Sequence, residues 1–405
     1  MHKLTLYIFI GLLLGLLCGW IFGTAIIPIA EPLANLFLRL LKMAIMPLIL
    51  TSIISGVLNI GNAKGLGRLG LKTLSYYVIS SLLAIVTGLL LVNFFKPGVG
   101  ANIGLEQAPQ HVEAAQQSVF DIILNVIPDN PIASLAQGDV LPVIFFSIFF
   151  GIFVTRINEE QKLQITSFFQ GAFDAMLKMT QVIIWTAPLG VFGVNAKIVA
   201  TTGFGAFKSL GIYFMVVVLG LLIHAMINLP LLLKIFANIN PIKHYRAMSP
   251  ALMTAFSTCS SMVTLPLTIE SVVKRSKVSQ KIASFILPIG ATVNMDGTAL
   301  YECVATIFIA QVYGIELTIL QQVIVVVTAL LASIGAASIP MAGLVMMSII
   351  LKAVGLPLEG VGIIIAVDRF LDMFRTTTNV LSDSCGAVIV ARTEGESLEG
   401  IGGID

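Results

Sequence analysis

A cluster of charges set between two apolar runs constrains this chain more than any other feature. The stretch Asp368-Arg369-Phe370-Leu371-Asp372-Met373-Phe374-Arg375-Thr376-Thr377-Thr378-Asn379-Val380-Leu381-Ser382-Asp383 follows Val361-Gly362-Ile363-Ile364-Ile365-Ala366-Val367 and precedes Ala387-Val388-Ile389-Val390-Ala391. At about 100° per residue, a helix through it gathers Asp368, Asp372, Arg375, Thr376, Asn379 and Asp383 within roughly a 100° arc. A charged group at membrane depth is costly unless it is paired or faces a polar cavity. Such a face either locks neighbouring helices through salt bridges or holds a charged solute and its coupling ions. The residue types favour the second reading.

The membrane itself follows from composition. The chain is 57% hydrophobic and only 11% charged, against about a quarter charged in soluble domains. An all-α polytopic membrane protein is expected, since helices satisfy their own backbone in lipid. At about 20 residues per span, 405 residues admit roughly eight transmembrane helices plus shorter hairpins. A net charge of +2, with no basic run or aromatic platform, excludes a nucleic-acid partner. Cys18, Cys259, Cys303 and Cys385 are scattered through apolar segments, so neither a disulfide framework nor a zinc site is expected. His224, inside an apolar run, reads as a satisfied helix-packing histidine. The N-terminal apolar run resembles a signal peptide, but Gly11, Gly15, Gly19 and Gly23 form a small-residue stripe suited to close helix packing. A retained first span is expected.

In chain order, spans are expected at about 5–23, at 33–60 with a break near Pro47, and at 73–95. A polar loop follows over 96–117, then a segment at 118–156 cut into short pieces by Pro128, Pro131 and Pro142. Further spans are expected at 165–194 and 207–236. With alternating spans, most basic residues, from Lys3, Arg68 and Lys72 through Arg275 to Arg392, share one side, while Lys96, Lys197, Lys208 and Lys352 fall on the other. That asymmetry predicts a multi-pass protein of the cell (inner or plasma) membrane with both termini cytoplasmic.

The C-terminal part departs from plain spanning helices. Residues 247–273 carry Ser257-Thr258-Cys259-Ser260-Ser261 at their centre, and 318–351 carry Ser333 through Gly343, rich in Gly, Ala and Ser. Each suits two half-helices meeting at a re-entrant tip, which is tolerable only where protein or water covers the backbone. Each also precedes a helix with polar residues at its middle: Asn294-Met295-Asp296-Gly297-Thr298 in 280–313, and the charged stretch in 358–392. Hairpin then span, twice, is the pattern of inverted repeats whose interface holds substrate and coupling ions in secondary transporters.

The chemistry agrees. Around Gly297 an unwound helix frees carbonyls, and Asp296, Asn294 and Thr298 add oxygens; a hard cation such as sodium needs nothing more. A kink filled by its own side chains is the plainer alternative. Arg375 can grip a carboxylate through a bidentate fork, and Asp372, about one turn earlier, can accept an ammonium. Together they describe an amino acid with an extra acidic group, its main-chain carboxylate held by electropositive half-helix N-termini at the hairpin tips.

These residues resemble the dicarboxylate/amino acid:cation symporter family, which includes glutamate and aspartate transporter homologues and the excitatory amino-acid transporters. The resemblance covers nearly the whole chain. It is densest in Ser260-Ser261…Thr264-Leu265-Pro266, Gly290 to Glu302, Ser333…Pro340…Gly343 and Asp372…Arg375-Thr376…Asn379…Asp383. It implies a homotrimer in which a transport domain (helix 3 with its outer loop, 73–117, and 207–405) moves like an elevator against a scaffold (1–72 and 118–206). Substrate binding would fall to Ser261, Thr298, Ala337, Ile339, Gly343, Asp372, Arg375, Thr376 and Asn379. One sodium site would use Asp383 with Gly290, Asn294 and Asn379. A second would use carbonyls of Thr292, Ser333, Ile334 and Ala336, with Met295 also assigned to the cation ligands. A third would use Asp296 and Asn294 with Tyr77, Ser80 and Ser81. Glu302 matches a glutamate implicated in proton and potassium coupling. No cofactor is implied beyond the co-transported sodium ions, and the protein is not expected to be an enzyme.

The chain also departs from that pattern. Acidic-substrate members carry a second arginine at positions that here hold Cys259 or Met373, and the tips contain Met262-Val263, Ser338 and Met341. Three other readings compete. A proton-coupled glutamate or C4-dicarboxylate carrier is the alternative, although a dicarboxylate has no ammonium for Asp372. A channel needs a continuous polar pore. An intramembrane aspartyl protease needs paired aspartates, which Asp296 and Asp372 mimic, but Arg375 has no role there.

Overall fold

The computed structural model describes residues 2–61, 67–101, 127–202, 205–335, 342–398 and 401, and every regular element among them is helical. Among the described residues, three stretches are long and apolar enough to cross a membrane by length and composition alone: Leu6–Phe37, Arg68–Phe95 and Lys208–Ala237. Their outer faces expose Leu13, Leu17, Trp20, Ile79, Leu90, Met215 and Met226. Such a coat is a liability in water and suits lipid.

One group of helices comprises α1 (His2–Phe22), α2 (Ile27–Gly61), α5 (Val140–Val154), α6 (Glu159–Ile184) and α7 (Ala187–Thr202), with the short α4 (Pro131–Gln137) packed on α5. Here α1 lies along α7 because Gly11, Gly15 and Gly19 present bare backbone to Pro188, Phe192 and Ala196. Gly23 does not continue this stripe as expected. It has open space around it and φ +53°, so it makes the turn into α2, a conformation that favours glycine.

Two expected breaks differ. Helix α2 starts earlier than predicted and runs unbroken through Pro32 and Pro47, with the Thr51 hydroxyl donating to the carbonyls of Pro47 and Leu48. The expected span at 165–194 is instead split between α6 and α7 at Trp185–Thr186, where 3₁₀-type bonds from Trp185 and Thr186 to Val182 and Ile183 close the turn. Pro188 then sits in the first turn of α7, where its missing N–H costs nothing.

Close packing at Gly15 leaves no room for a side chain. A Cβ there would stand 2.6 Å from the Phe192 carbonyl oxygen, so Gly15→Leu is expected to cost about 1–3 kcal/mol. The check is a lowered midpoint in a detergent thermal-shift series. Gly171→Leu, made where a Cβ meets only open space, should leave the midpoint in place.

The second group surrounds α15 (Val361–Thr393). It contains α3 (Gly67–Phe95), α8 (Gly205–Ile223, continued to Ala237), α9 (Pro241–Thr258), α10 (Ser261–Glu270, continued to Arg275), α11 (Gln280–Val293), α12 (Asp296–Val312), α13 (Ile319–Gly335) and α14 (Ala342–Ala353). Beyond Ile223, α8 widens into π turns over His224–Asn228 and Leu233–Ala237, either side of Pro230. Between α9 and α10 the chain reverses at Cys259, whose φ is +52°. Ser260 then caps α10 by accepting from the Val263 N–H at 3.3 Å. The tip between α13 and α14, 336–341, lies outside the described residues. At the far end of α15, Arg68 and Lys72 from α3 both donate to Glu394 (2.8 and 2.6 Å) and pull its carboxyl down to about 2.

Candidate functional site

The site is built where two helices break or turn polar at the same level. Asn294 and Met295 leave helical geometry (φ, ψ −98°, 85° and −115°, 61°), separating α11 from α12. The first residues of α12 then press against the middle of α15. Gly297 has no room for a side chain, since a Cβ would stand 2.7 Å from the Arg375 carbonyl oxygen. Asn379 fastens this contact, accepting from Gly297 N–H at 2.8 Å and donating to the Thr298 hydroxyl at 3.2 Å.

Asp296 is fully buried and collects donors from three helices. Ser80 and Ser81 of α3 bond its two oxygens at 2.5 and 2.6 Å, Ser382 of α15 donates at 2.6 Å, and His224 Nε2 of α8 lies at 3.1 Å. Asn294 spans to the second carboxylate, donating to Asp383 at 2.9 Å and to Ser382 at 3.0 Å. Its own side-chain oxygen is buried with no hydrogen-bond partner among the described residues. Asp383 also lies against Gly290, where a Cβ would stand 2.6 Å from its Oδ1. Asp296 is well supplied with donors, whereas Asp383 receives Asn294 and the Asn294 oxygen receives none among the described residues. Two buried carboxylates and that amide oxygen in one region make a hard-oxygen environment, which suits a cation.

Tyr77 takes a different part from the one expected beside Asp296. Its hydroxyl donates to the Ile286 carbonyl at 2.9 Å and faces Gly290 near Asp383. Thr292 turns its hydroxyl onto the Ile289 carbonyl at 3.0 Å, and Ser333 does likewise to Leu330 at 2.8 Å. This leaves backbone carbonyls as what these positions can offer. Ala336, Ala337 and Ile339 lie outside the described residues, and Ile334 is placed only as backbone in α13.

One level along α15 the polar face changes character. Arg375 is buried, with Nη2 at 3.0 Å from Asp372 Oδ1 and 3.2 Å from Asp368 Oδ1. Its carbon centre sits 3.9 Å above the Tyr301 ring, a stacked cation–π contact. The other edge of the guanidinium is different: Nε and Nη1 are buried and have no hydrogen-bond partner among the described residues. Gly343 of α14 packs against Nη1, while Thr298, Thr376 and Asn379 are buried in α12 and α15 close by and Ser261 opens α10. Glu302, one turn beyond Thr298, is fully buried, and neither carboxyl oxygen has a hydrogen-bond partner among the described residues.

Comparison with known proteins decides the family. The profile of the sodium:dicarboxylate symporter family matches residues 4–393. The chain belongs to that family. It is 37% identical over 401 residues to a proton/sodium-glutamate symport protein of Geobacillus stearothermophilus, covering 97% of this chain and 94% of the relative. It is 36% identical over 416 residues to excitatory amino acid transporter 3 of Mus musculus (90% and 79% covered). It is 34% identical over 378 residues to the proton/glutamate-aspartate symporter of Escherichia coli (91% and 86%). As a sodium:dicarboxylate symporter family member the chain is a multi-pass membrane transporter, not an enzyme.

Several residues of this family member's polar core were not singled out from sequence. Ser382 is one helical position from Asp383 and donates to the other carboxylate, so its role is set by α3 and α12 rather than by its neighbours. Tyr76 donates to the Ser382 carbonyl at 3.0 Å, and Tyr301 carries Arg375. His224 is satisfied, as expected, by Asn228 on Nδ1 (3.2 Å). Its other nitrogen, however, serves Asp296, and the π turn it begins is the local irregularity that accompanies this contact.

Proposed function

We propose that this protein takes up an acidic amino acid, aspartate or glutamate, together with sodium, by alternating access. The observation that carries the reading is the unpartnered Nε and Nη1 edge of Arg375, buried and adjacent to Asp372. A buried guanidinium edge without an acceptor is costly, and a substrate side-chain carboxylate supplies the missing fork. The substrate ammonium then takes Asp372, with Thr298, Thr376 and Asn379 completing the pocket. Ser261 and the tip around Ala337, Ile339 and Gly343 bind the main-chain carboxylate. The names of the relatives, glutamate and glutamate-aspartate symporters, support the same substrate class.

Sodium is the coupling ion at Asp296 and Asp383, because two carboxylates held this deeply need compensating cations. Substrate and cations share α11, α12 and α15, so filling one site organises the helices that form the other. We further propose roughly eight membrane helices with two re-entrant hairpins (α9–α10 and α13–α14), assembly as a homotrimer in the cell membrane with cytoplasmic termini, and an elevator movement. In that movement residues 73–117 and 207–405 travel against 1–72 and 118–206. The grouping of α3 with α8 to α15 supports this division.

Proton coupling is the second reading, favoured by one observation: Glu302, a fully buried carboxyl with no partner on either oxygen. The test is uptake of labelled aspartate and glutamate into proteoliposomes under separate sodium, proton and potassium gradients, for wild type and Glu302→Gln. Accumulation is expected to require sodium. Should Glu302 carry a proton, the variant loses the wild-type dependence on external pH or potassium. Concentrative uptake on a proton gradient alone overturns sodium coupling, and identical pH and potassium responses in both proteins remove Glu302 from the mechanism.

A further inference from the structure

Arg369 is a charged residue beside the pocket that the proposed function leaves without a task. Arg369 is half-buried on α15, its side chain 14% exposed, with Nη1 3.6 Å from Asp372 Oδ2. It is three residues before Asp372, as Arg375 is three residues after it. On a helix this sets the two guanidiniums about 60° to either side of the carboxylate, one on each oxygen. A guanidinium at membrane depth is expensive to keep.

The fixed charges that α15 brings to the solute are then Asp368, Arg369, Asp372 and Arg375, which cancel. An acidic amino acid arrives with one ammonium and two carboxylates, a net charge of −1. Without Arg369 the fixed charges sum to −1, and the solute enters a pocket that repels it. A neutral amino acid meets no such penalty.

We propose that Arg369 is a specificity-determining residue, whose ion pair with Asp372 offsets the carboxylate that binds the ammonium and so lets the pocket accept an acidic rather than a neutral amino acid. This rests on the acidic amino-acid reading above. Its contact with Asp372 is longer than a hydrogen bond, so charge and not fork geometry is what matters, and lysine is an adequate replacement.

The experiment measures competition of labelled aspartate uptake by unlabelled aspartate and serine, expressed as the ratio of their inhibition constants. Arg369→Gln is expected to reduce the preference for aspartate roughly tenfold to thirtyfold, the scale of one partly screened charge a few ångströms from the ligand. Arg369→Lys should stay within about threefold of wild type. The double variant Arg369→Gln/Asp372→Asn removes both members of the pair and leaves no unpaired charge. It binds every amino acid more weakly, but its ratio should return to within about threefold of wild type. This variant also serves if Arg369→Gln alone fails to fold. A ratio unchanged by Arg369→Gln, an equal loss in Arg369→Lys, or a double variant as unselective as Arg369→Gln overturns the proposal. A wild type engaged by neither aspartate nor glutamate removes the acidic amino-acid reading and this inference with it; loss confined to the variant ratios removes the inference alone.

Discussion

Replacing Asp296 with asparagine is expected to raise the sodium concentration needed for half-maximal uptake on the order of a thousandfold. The reasoning is electrostatic. A unit charge about 4 Å from another contributes roughly 4 kcal/mol at an effective dielectric of about 20, and every 1.4 kcal/mol or so is a factor of ten in affinity. Asparagine keeps the shape of the side chain and one acceptor oxygen, and the hydroxyls of Ser80, Ser81 and Ser382 can rotate to suit it. The charge is lost while much of the hydrogen bonding stays. The competing explanation is that Asp296 is a clasp, tying α3, α8 and α15 to the broken helix through Ser81, His224 and Ser382. A clasp predicts lower thermal stability in Asp296→Asn with the sodium midpoint of the surviving protein unchanged. Titrating sodium against both uptake and detergent melting temperature separates the two. A sodium midpoint that does not move would end the assignment of Asp296 to cation binding.

Much of this centre was legible in sequence, for one physical reason: apolar surroundings make each polar residue conspicuous. Asp368, Asp372, Arg375, Asn379 and Asp383 announce a polar face because nothing near them in the chain is polar enough to hide it. The Ser/Thr run at 257–261 likewise marks the reversal at Cys259, and Asn294 to Thr298 marks the broken helix. Features that depend on remote partners were hidden. His224 and Asp296 are 72 residues apart, and Ser382 and Asp296 are 86 apart; no local pattern encodes either contact. Tyr77 is the same case: its spacing from Ser80 and Ser81 suits one carboxylate, yet its hydroxyl reaches over to Ile286. Continuity through Pro47 was illegible for the opposite reason, since proline weakens a helix locally and packing around it decides whether the helix ends. The turn at Trp185–Thr186 is flanked by apolar residues on both sides, so hydropathy passes over it and only Pro188 hints at it.

Arg375 carries the other large effect. Replacing it by threonine leaves a bound side-chain carboxylate without a partner in a buried pocket, and breaking such a pair costs about 3–5 kcal/mol, roughly a hundredfold to a few thousandfold in affinity. Aspartate and glutamate should suffer this loss. Serine and alanine should not, because neither presents a carboxylate to that edge. Threonine also strips Asp368 and Asp372 of the guanidinium they share at 3.2 and 3.0 Å, so a fall in stability by itself decides nothing. Arg375→Lys resolves this. It retains a positive charge for the two aspartates but lacks the Nε–Nη1 edge that is free of partners, and a point charge does not reproduce the fork. If that edge grips the substrate, Arg375→Lys folds and melts close to wild type yet loses most of its preference for acidic over neutral amino acids. If Arg375 only neutralises Asp368 and Asp372, Arg375→Lys keeps both stability and preference. Competition of labelled aspartate uptake by aspartate, glutamate, serine, alanine and succinate, run beside melting curves for both variants, distinguishes the two. An Arg375→Lys protein that still prefers aspartate over serine as strongly as wild type would show that the substrate carboxylate binds elsewhere.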